Sequence, residues 1–280
     1  MITAPKRRLV FIKNKIDIIY KGVLIGSTML VPGVSGGSMA MILGIYDRLI
    51  EAVSSFFKDI KSNALFLFVF VLSAGAGMLL LARPILSLLE SYPKTMGFFF
   101  IGAVAGGIPA VYIQAQVKGF SWKYVIYIIV GLVGVVVLSL LPTDYLAESV
   151  TEGSYSGSFL FIAGVVAAAA LILPGISVSY LLLIMGLYHE LMRAISEIDV
   201  AFLFPMGIGL LCGILLLTKG LEFVMTRYPQ VSYLTILGFV IGSLAEVFPG
   251  MPVGTEWILC VLAAMIGFYF IFTLSKSEVS

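Results

Sequence analysis

The chain has 280 residues, of which 60% are hydrophobic and only 11% are charged, and its mean hydropathy is +1.11. A soluble domain carries about 25% charged residues, so this composition excludes a soluble protein and indicates a polytopic membrane protein embedded in a lipid bilayer. The net charge of +2 gives no reason to expect nucleic acid as a partner. In a membrane protein the placement of the positive charges matters more than their sum, because it sets the topology.

A break interrupts the first apolar stretch at Pro32-Gly33-Val34-Ser35-Gly36-Gly37-Ser38. Proline removes a backbone donor and glycine permits unusual conformations, so a helix that enters from Lys21 is expected to stop near Val31. A second helix restarts at Ser35 or Ser38, and its first turn offers N–H groups, hydroxyls and the positive end of a helix dipole. These groups favour an anion. The expected binding residues are Gly33, Ser35, Gly36, Gly37 and Ser38.

Six apolar runs follow, each near the roughly 17 to 25 residues that a membrane-spanning helix needs. They cover residues 63–81, 95–113, 123–141, 202–217, 231–248 and 257–274. The run at 202–217 is the shortest and needs residues beyond Lys219 to cross the membrane. Glycines recur within these runs at positions typical of helix-packing surfaces. They include Gly75, Gly77, Gly102, Gly106, Gly238 and Gly242.

A second break lies 142 positions after the first, at Pro174-Gly175-Ile176-Ser177-Val178-Ser179. Its expected binding residues are Gly175, Ser177 and Ser179. The same shift also aligns Gly44 with Gly186 and Tyr46 with Tyr188, and a shift of 136 aligns later positions. These include Gly77 with Gly213, Arg83 with Lys219, Pro93 with Pro229 and Gly102 with Gly238. Matched prolines, tyrosines and cations in the same order indicate a tandem duplication.

The duplication defines the domain organisation. We expect a basic cytoplasmic N-terminus at 1–14, a first repeat at 15–141, an external linker at 142–156 and a second repeat at 157–275. Each repeat is expected to hold a re-entrant hairpin and three transmembrane helices. The first repeat contains hairpin 16–57 and helices 63–89, 95–113 and 123–141. The second contains hairpin 159–197 and helices 202–225, 231–248 and 257–274.

A repeat that crosses the membrane an odd number of times must be inverted relative to its copy. With the N-terminus inside, only Arg83, Lys94 and Arg193 of the 17 lysines and arginines lie toward the outside, which supports that arrangement. Lys21 falls on the cytoplasmic side in this assignment, as do both termini. The predicted fold class is an all-α polytopic membrane protein with two inverted-topology repeats. In secondary transporters of this architecture the substrate site lies near the bilayer midplane.

The two break segments, VPGVSGGSMAMILGIYDRLI and LPGISVSYLLLIMGLYHELM, resemble those of the polyprenyl-phosphate transporter family of bacteria and archaea. The resemblance covers nearly the whole chain. It implies translocation of undecaprenyl phosphate, the lipid carrier of cell-wall synthesis, from the outer to the inner leaflet of the bacterial cytoplasmic membrane for reuse. The second loop lacks the two glycines that follow Ser35, so the first loop is the better candidate for close contact with phosphate.

Two cations are candidates for the headgroup as well. Arg83 and Lys219 occupy matching positions in the two repeats, within or near the end of a spanning run. A charge at the centre of a bilayer helix costs about 2.5 to 3.5 kcal/mol, so an intramembrane cation usually has a functional reason. The alternative is that both side chains extend to the membrane interface, since Pro84 follows Arg83 directly.

A second polar group follows each loop. The first repeat has Asp47, Arg48 and Glu51, and the second has His189, Glu190 and Arg193. Glu51 aligns with Arg193 and Asp47 with His189, so the charge signs are exchanged between the repeats. These residues are candidates for gating ion pairs, or for a proton path that couples transport to protons. The alternative is a solvated helix end at the point where the hairpin leaves the membrane.

Three functions are compatible with these sequence features. The first is flipping of undecaprenyl phosphate by alternating access around a midplane phosphate site, with no catalytic residue. The second is ion-coupled transport of a small soluble anion, because such a site accepts either substrate. The third is an intramembrane lipid phosphatase, which the single histidine and the missing metal-ligand spacing disfavour. No metal or other cofactor is expected, and the small-residue faces are compatible with a homo-oligomer.

Overall fold

The computed structural model describes residues 4–31, 34–140 and 155–279. Gly33 and most of the predicted linker 142–156 lie outside the described residues. Within those ranges there are twelve α-helices and a 3-10 helix at Phe56–Lys58. The helices are α1 (Ala4–Thr28), α2 (Gly36–Ile42), α3 (Tyr46–Ser54), α4 (Ile60–Ser91), α5 (Pro93–Gln114), α6 (Trp122–Ser139), α7 (Gly157–Ile172), α8 (Val178–Ile184), α9 (Tyr188–Glu197), α10 (Val200–Arg227), α11 (Pro229–Val247) and α12 (Glu256–Val279).

Six helices are long and apolar enough to cross a membrane, namely α4, α5, α6, α10, α11 and α12. Each overlaps one of the six predicted apolar runs, which confirms an all-α polytopic membrane protein. Many of their large apolar side chains are exposed, for example Leu79 and Leu80 on α4 and Leu216 on α10. Such a surface is stable against lipid and unfavourable in water.

The two breaks produce the same local structure. Helix α1 ends at Thr28, slightly before the predicted Val31, and α7 ends at Ile172. Each is followed by two short helices joined at a glycine with positive φ, Gly44 at +67° and Gly186 at +69°. Around both glycines the backbone bonds form a Schellman motif, for example Ile45 N–H to Ala40 O at 3.0 Å and Leu187 N–H to Leu182 O at 2.8 Å. Between α8 and α9 the chain bends by 108°.

The helices form two compact units. Unit 1 comprises residues 1–113 and 244–280, and unit 2 comprises residues 114–243. The units therefore differ from the sequence repeats, because the last helix of each repeat, α6 or α12, belongs to the other repeat's unit. In unit 1 the short helix α2 is almost fully buried, with Met41 at 0% and Ile42 at 1% exposure. The core of unit 2 gathers around α7, α8 and α10. Its buried residues include Leu160, Ala163, Leu182, Leu187, Phe202 and Met206.

Glycines make the closest helix contacts in both units. In unit 1 a Cβ added to Gly102 would lie 1.9 Å from the carbonyl oxygen of Ala264, and in unit 2 one added to Gly238 would lie 2.1 Å from that of Ile128. The two contacts correspond at the shift of 136. The predicted packing role of Gly77, Gly102, Gly106, Gly238 and Gly242 is thus confirmed. For Gly75 it is wrong, since nothing lies within 4 Å of its added Cβ.

Helices α5 and α12 run parallel, and so do α7 and α10. Along α5 and α12 the contacts Lys94–Glu256, Gly102–Ala264 and Gly106–Phe268 advance together. In unit 2 the contacts Phe161–Gly209 and Val165–Gly213 advance in the same way. The parallel direction of α7 and α10 restricts the path that α8 and α9 can take between them.

Candidate functional site

The first loop has two serine hydroxyls that do not cap its helix. Ser35 is the N-cap residue of α2, with φ −79° and ψ 131°, yet its side chain makes no capping hydrogen bond. Ser38 is 1% exposed, and its Oγ has no hydrogen-bond partner among the described residues. Gly36 packs against Met29, whose side-chain atoms would lie 3.0 Å from an added Cβ. A buried hydroxyl normally finds a partner, so the unpartnered Ser38 is a candidate ligand contact.

The second loop uses its polar groups internally. The Ser177 hydroxyl accepts a hydrogen bond from the Tyr180 N–H at 3.3 Å and so caps α8. The phenol of Tyr180, which aligns with Ser38, donates to the Ser139 carbonyl at 2.9 Å. Gly175 has φ +83°, and a Cβ there would lie 2.6 Å from the carbonyl oxygen of Phe239. This glycine is therefore required by helix packing, while Ser179 is exposed.

The two loops are thus unequal in the structure. In the first loop, the hydroxyls of Ser35 and Ser38 do not cap α2. In the second, Ser177 caps its helix and an aromatic side chain replaces Ser38. That the first loop suits close phosphate contact better than the second stays a prediction.

Arg83 and Lys219 lie at the ends of apolar runs. Bounded by Asn63 and Arg83, the apolar run of α4 covers 64–82, and bounded by Asp199 and Lys219, that of α10 covers 200–218. Each cation is ten residues from the midpoint of its run, about 15 Å at ~1.5 Å per residue. That distance is half of a hydrocarbon layer about 30 Å thick. Both residues are exposed, a position from which a long side chain reaches the headgroup region.

The first group of predicted gating residues forms a contact between helices. Arg48 donates to Glu51 at 3.0 Å and to the side chain of Asn63 on α4 at 3.1 Å, and its guanidinium lies 5.0 Å from the ring centroid of Phe66. Asn63 is 4% exposed and donates to the Ser55 carbonyl at 3.0 Å. Arg48 therefore ties α3 to α4. Glu51 and Asp47 are exposed.

The second group repeats the ion pair with exchanged signs. Glu190 and Arg193 pair at the same spacing on α9 as Arg48 and Glu51 on α3. His189 is exposed, and its ring lies edge-on to Tyr188 with centroids 5.5 Å apart. Within the described part of the chain, no three histidine, cysteine or carboxylate side chains gather as a metal site would require.

Sequence reasoning missed an ion pair in unit 1 in which the lysine is buried and the aspartate is partly exposed. Lys21, assigned to the cytoplasmic side from the sequence, is 4% exposed, and its Nζ lies 3.0 Å from Oδ2 of Asp17. The available signal was the Asp-x-x-x-Lys spacing, which places both residues on one face of a helix. It was weak, because the same spacing is common on solvated helices.

The chain is similar to proteins named polyprenyl-phosphate transporter. The model of a family described as undecaprenyl phosphate translocase-like matches residues 25–259. A Staphylococcus aureus protein called polyprenyl-phosphate transporter is 32% identical over 92% of this chain and 95% of its own length. A Vibrio cholerae protein of the same name is 29% identical over 84% of this chain and 78% of its own length. No solved structure matches the chain.

Proposed function

The chain belongs to the undecaprenyl phosphate translocase-like family, and on that premise we propose that it flips undecaprenyl phosphate across the bacterial cytoplasmic membrane. The carrier lipid returns by this route to the inner leaflet and is reused in cell-wall polymer synthesis. Both relatives are named polyprenyl-phosphate transporter, so transport without catalysis is the activity proposed.

We assign phosphate binding to specific residues of the first loop. A phosphate that enters hydrocarbon must exchange its water for protein donors, since an uncompensated ion is strongly unfavourable there. The hydroxyls of Ser35 and Ser38 are donors that the helix itself does not use. Leaving the buried Ser38 hydroxyl unsatisfied costs about 1–3 kcal/mol. A ligand that accepts its hydrogen bond recovers that cost, which favours a phosphate oxygen at this position.

The parallel helices support a re-entrant hairpin in the second repeat, and the sequence duplication extends the proposal to the first. Because α7 and α10 run in the same direction, α8 and α9 are proposed to return the chain to the membrane face from which α7 starts. Because α5 and α12 are also parallel, the segments between them are proposed to cross an odd number of times when the hairpin is not counted as a crossing. The two repeats then have inverted topology, with both termini cytoplasmic.

Alternating access follows from this topology as the proposed mechanism. Each unit presents one interrupted helix, and each hairpin opens toward the face from which it enters. The lipid phosphate is exposed to one side of the membrane at a time, while the prenyl chain stays in hydrocarbon. The distribution of lysines and arginines between the two sides of the membrane sets the orientation of the chain.

Leaflet-resolved transport tests the proposal and separates it from transport of a soluble anion. Proteoliposomes are loaded with undecaprenyl phosphate, and its exposure in the outer leaflet is followed over time, beside uptake of inorganic phosphate by the same vesicles. We expect protein-dependent movement of the lipid and no uptake of inorganic phosphate. Uptake of inorganic phosphate without lipid movement would contradict the proposed function.

A further inference from the structure

Unit 1 buries a lysine beside the middle of its first spanning helix. Lys21 is followed by Gly22, which packs so closely on α4 that an added Cβ would lie 2.4 Å from Oγ of Ser73. Ser73 is the midpoint of the apolar run 64–82. Lys21, at 4% exposure, therefore lies at mid-depth of the span.

This position differs from that of the two cations in the repeat pattern. Arg83 and Lys219 lie about 15 Å from the midpoints of their runs. In unit 2 the residue that aligns with Lys21 is Ala163, which is fully buried and carries no charge. The mid-depth lysine thus belongs to the same unit as the loop with Ser35 and Ser38.

Asp17 indicates that polar surroundings reach this depth. Its side chain is 43% exposed, whereas that of Lys21 is 5% exposed. The two residues are one helical turn apart, about 6 Å along α1, well inside an apolar layer about 30 Å thick. An ionised carboxylate against hydrocarbon is strongly unfavourable, so the exposed face of Asp17 meets water or a polar partner.

We propose that Lys21 binds the phosphate headgroup and that Asp17 is the counter-ion which it releases when the phosphate arrives. The inference rests on the proposed function, because it assigns the headgroup of the transported lipid to this lysine. A buried ammonium needs an anionic partner at every stage, and a phosphate oxygen replaces the carboxylate with a charge-assisted hydrogen bond. Asp17 is released readily, since it is already partly exposed.

Equilibrium binding to the full-length protein in lipid nanodiscs tests this exchange. The variants are Lys21→Met, Asp17→Asn and the two combined, and the probes are undecaprenyl phosphate and, in a separate arm, inorganic phosphate as its competitor. We expect Lys21→Met and the double variant to bind the lipid at least tenfold more weakly. Asp17→Asn should bind it severalfold more tightly, because the competing carboxylate is gone.

The double variant keeps the test independent of folding, since it leaves no unpaired buried charge, and its thermal midpoint is measured beside its affinity. Lys61→Met, at an exposed position at the start of α4, is the matched control and should bind like the wild type. If the folded double variant also binds like the wild type, Lys21 is structural and the inference fails while the proposed function stands. Competition by inorganic phosphate that persists without Lys21 overturns it as well. A wild type that binds neither probe removes both proposals together.

Discussion

Replacing Ser35 and Ser38 together by alanine is expected to slow flipping of undecaprenyl phosphate at least tenfold without lowering thermal stability. A hydrogen bond to a charged group contributes about 1.5–3 kcal/mol, and ~1.4 kcal/mol corresponds to a factor of ten. The Ser38 hydroxyl is buried without a partner among the described residues, so its removal costs the folded protein nothing. Transport in proteoliposomes and the thermal midpoint of the purified protein are measured side by side.

A buried serine outside the loops provides the control for this pair. Ser243 on α11 is 3% exposed, and its hydroxyl donates to the Val240 carbonyl at 2.9 Å. Ser243→Ala should leave transport unchanged. If the Ser35→Ala, Ser38→Ala variant transports like the wild type, the first loop does not hold the headgroup. A large fall in its thermal midpoint would instead assign the hydroxyls to the fold.

Gly102→Ala is expected to destabilise the protein, with a fall of several degrees in thermal midpoint. Its Cβ would meet the backbone of Ala264 at 1.9 Å, and a backbone atom cannot rotate away as a side chain does. Overpacking of this kind typically costs about 1–3 kcal/mol. Gly238→Ala should behave alike, because its Cβ would meet the carbonyl oxygen of Ile128 at 2.1 Å.

Gly75→Ala is the matched control on a spanning helix. Nothing lies within 4 Å of its added Cβ, and alanine is favoured over glycine in a helix by about 1 kcal/mol. Its thermal midpoint should stay level or rise. Equal midpoints for Gly75→Ala and Gly102→Ala would mean that α5 and α12 are not in close contact.

The spans and the breaks could be predicted because each depends on local chemistry. Apolar runs of bilayer length appear directly in the sequence, and Pro174-Gly175 stops α7 wherever the helix packs. The matched glycines also pointed to contact faces, since a duplicated chain places Gly102 and Gly238 in the same role. The prediction for Gly75 is wrong because composition does not tell which side of a helix faces a neighbour.

The missed features depend on tertiary register. From the sequence alone, Lys21 is expected at the membrane interface. It is buried beside the middle of the span because α1 crosses α4 at Ser73. Likewise, nothing local marks Ser38 as buried, or α12 as a partner of α5 rather than of its own repeat. Hydropathy specifies which segments enter the membrane, whereas their neighbours follow from side-chain fit between distant segments.

A re-entrant hairpin requires that the α7–α9 segment leave the membrane on the face where it entered, and cysteine labelling measures this directly. Single cysteines at Ser156, Ser196 and Lys118 are placed in a background lacking Cys212 and Cys260. All three positions are close to helix ends, and Ser156 and Ser196 flank the hairpin. An impermeant maleimide added to intact cells should label positions 156 and 196, and label position 118 only after permeabilisation. Labelling of 156 and 196 from opposite faces would contradict the re-entrant hairpin and, with it, the inverted repeat.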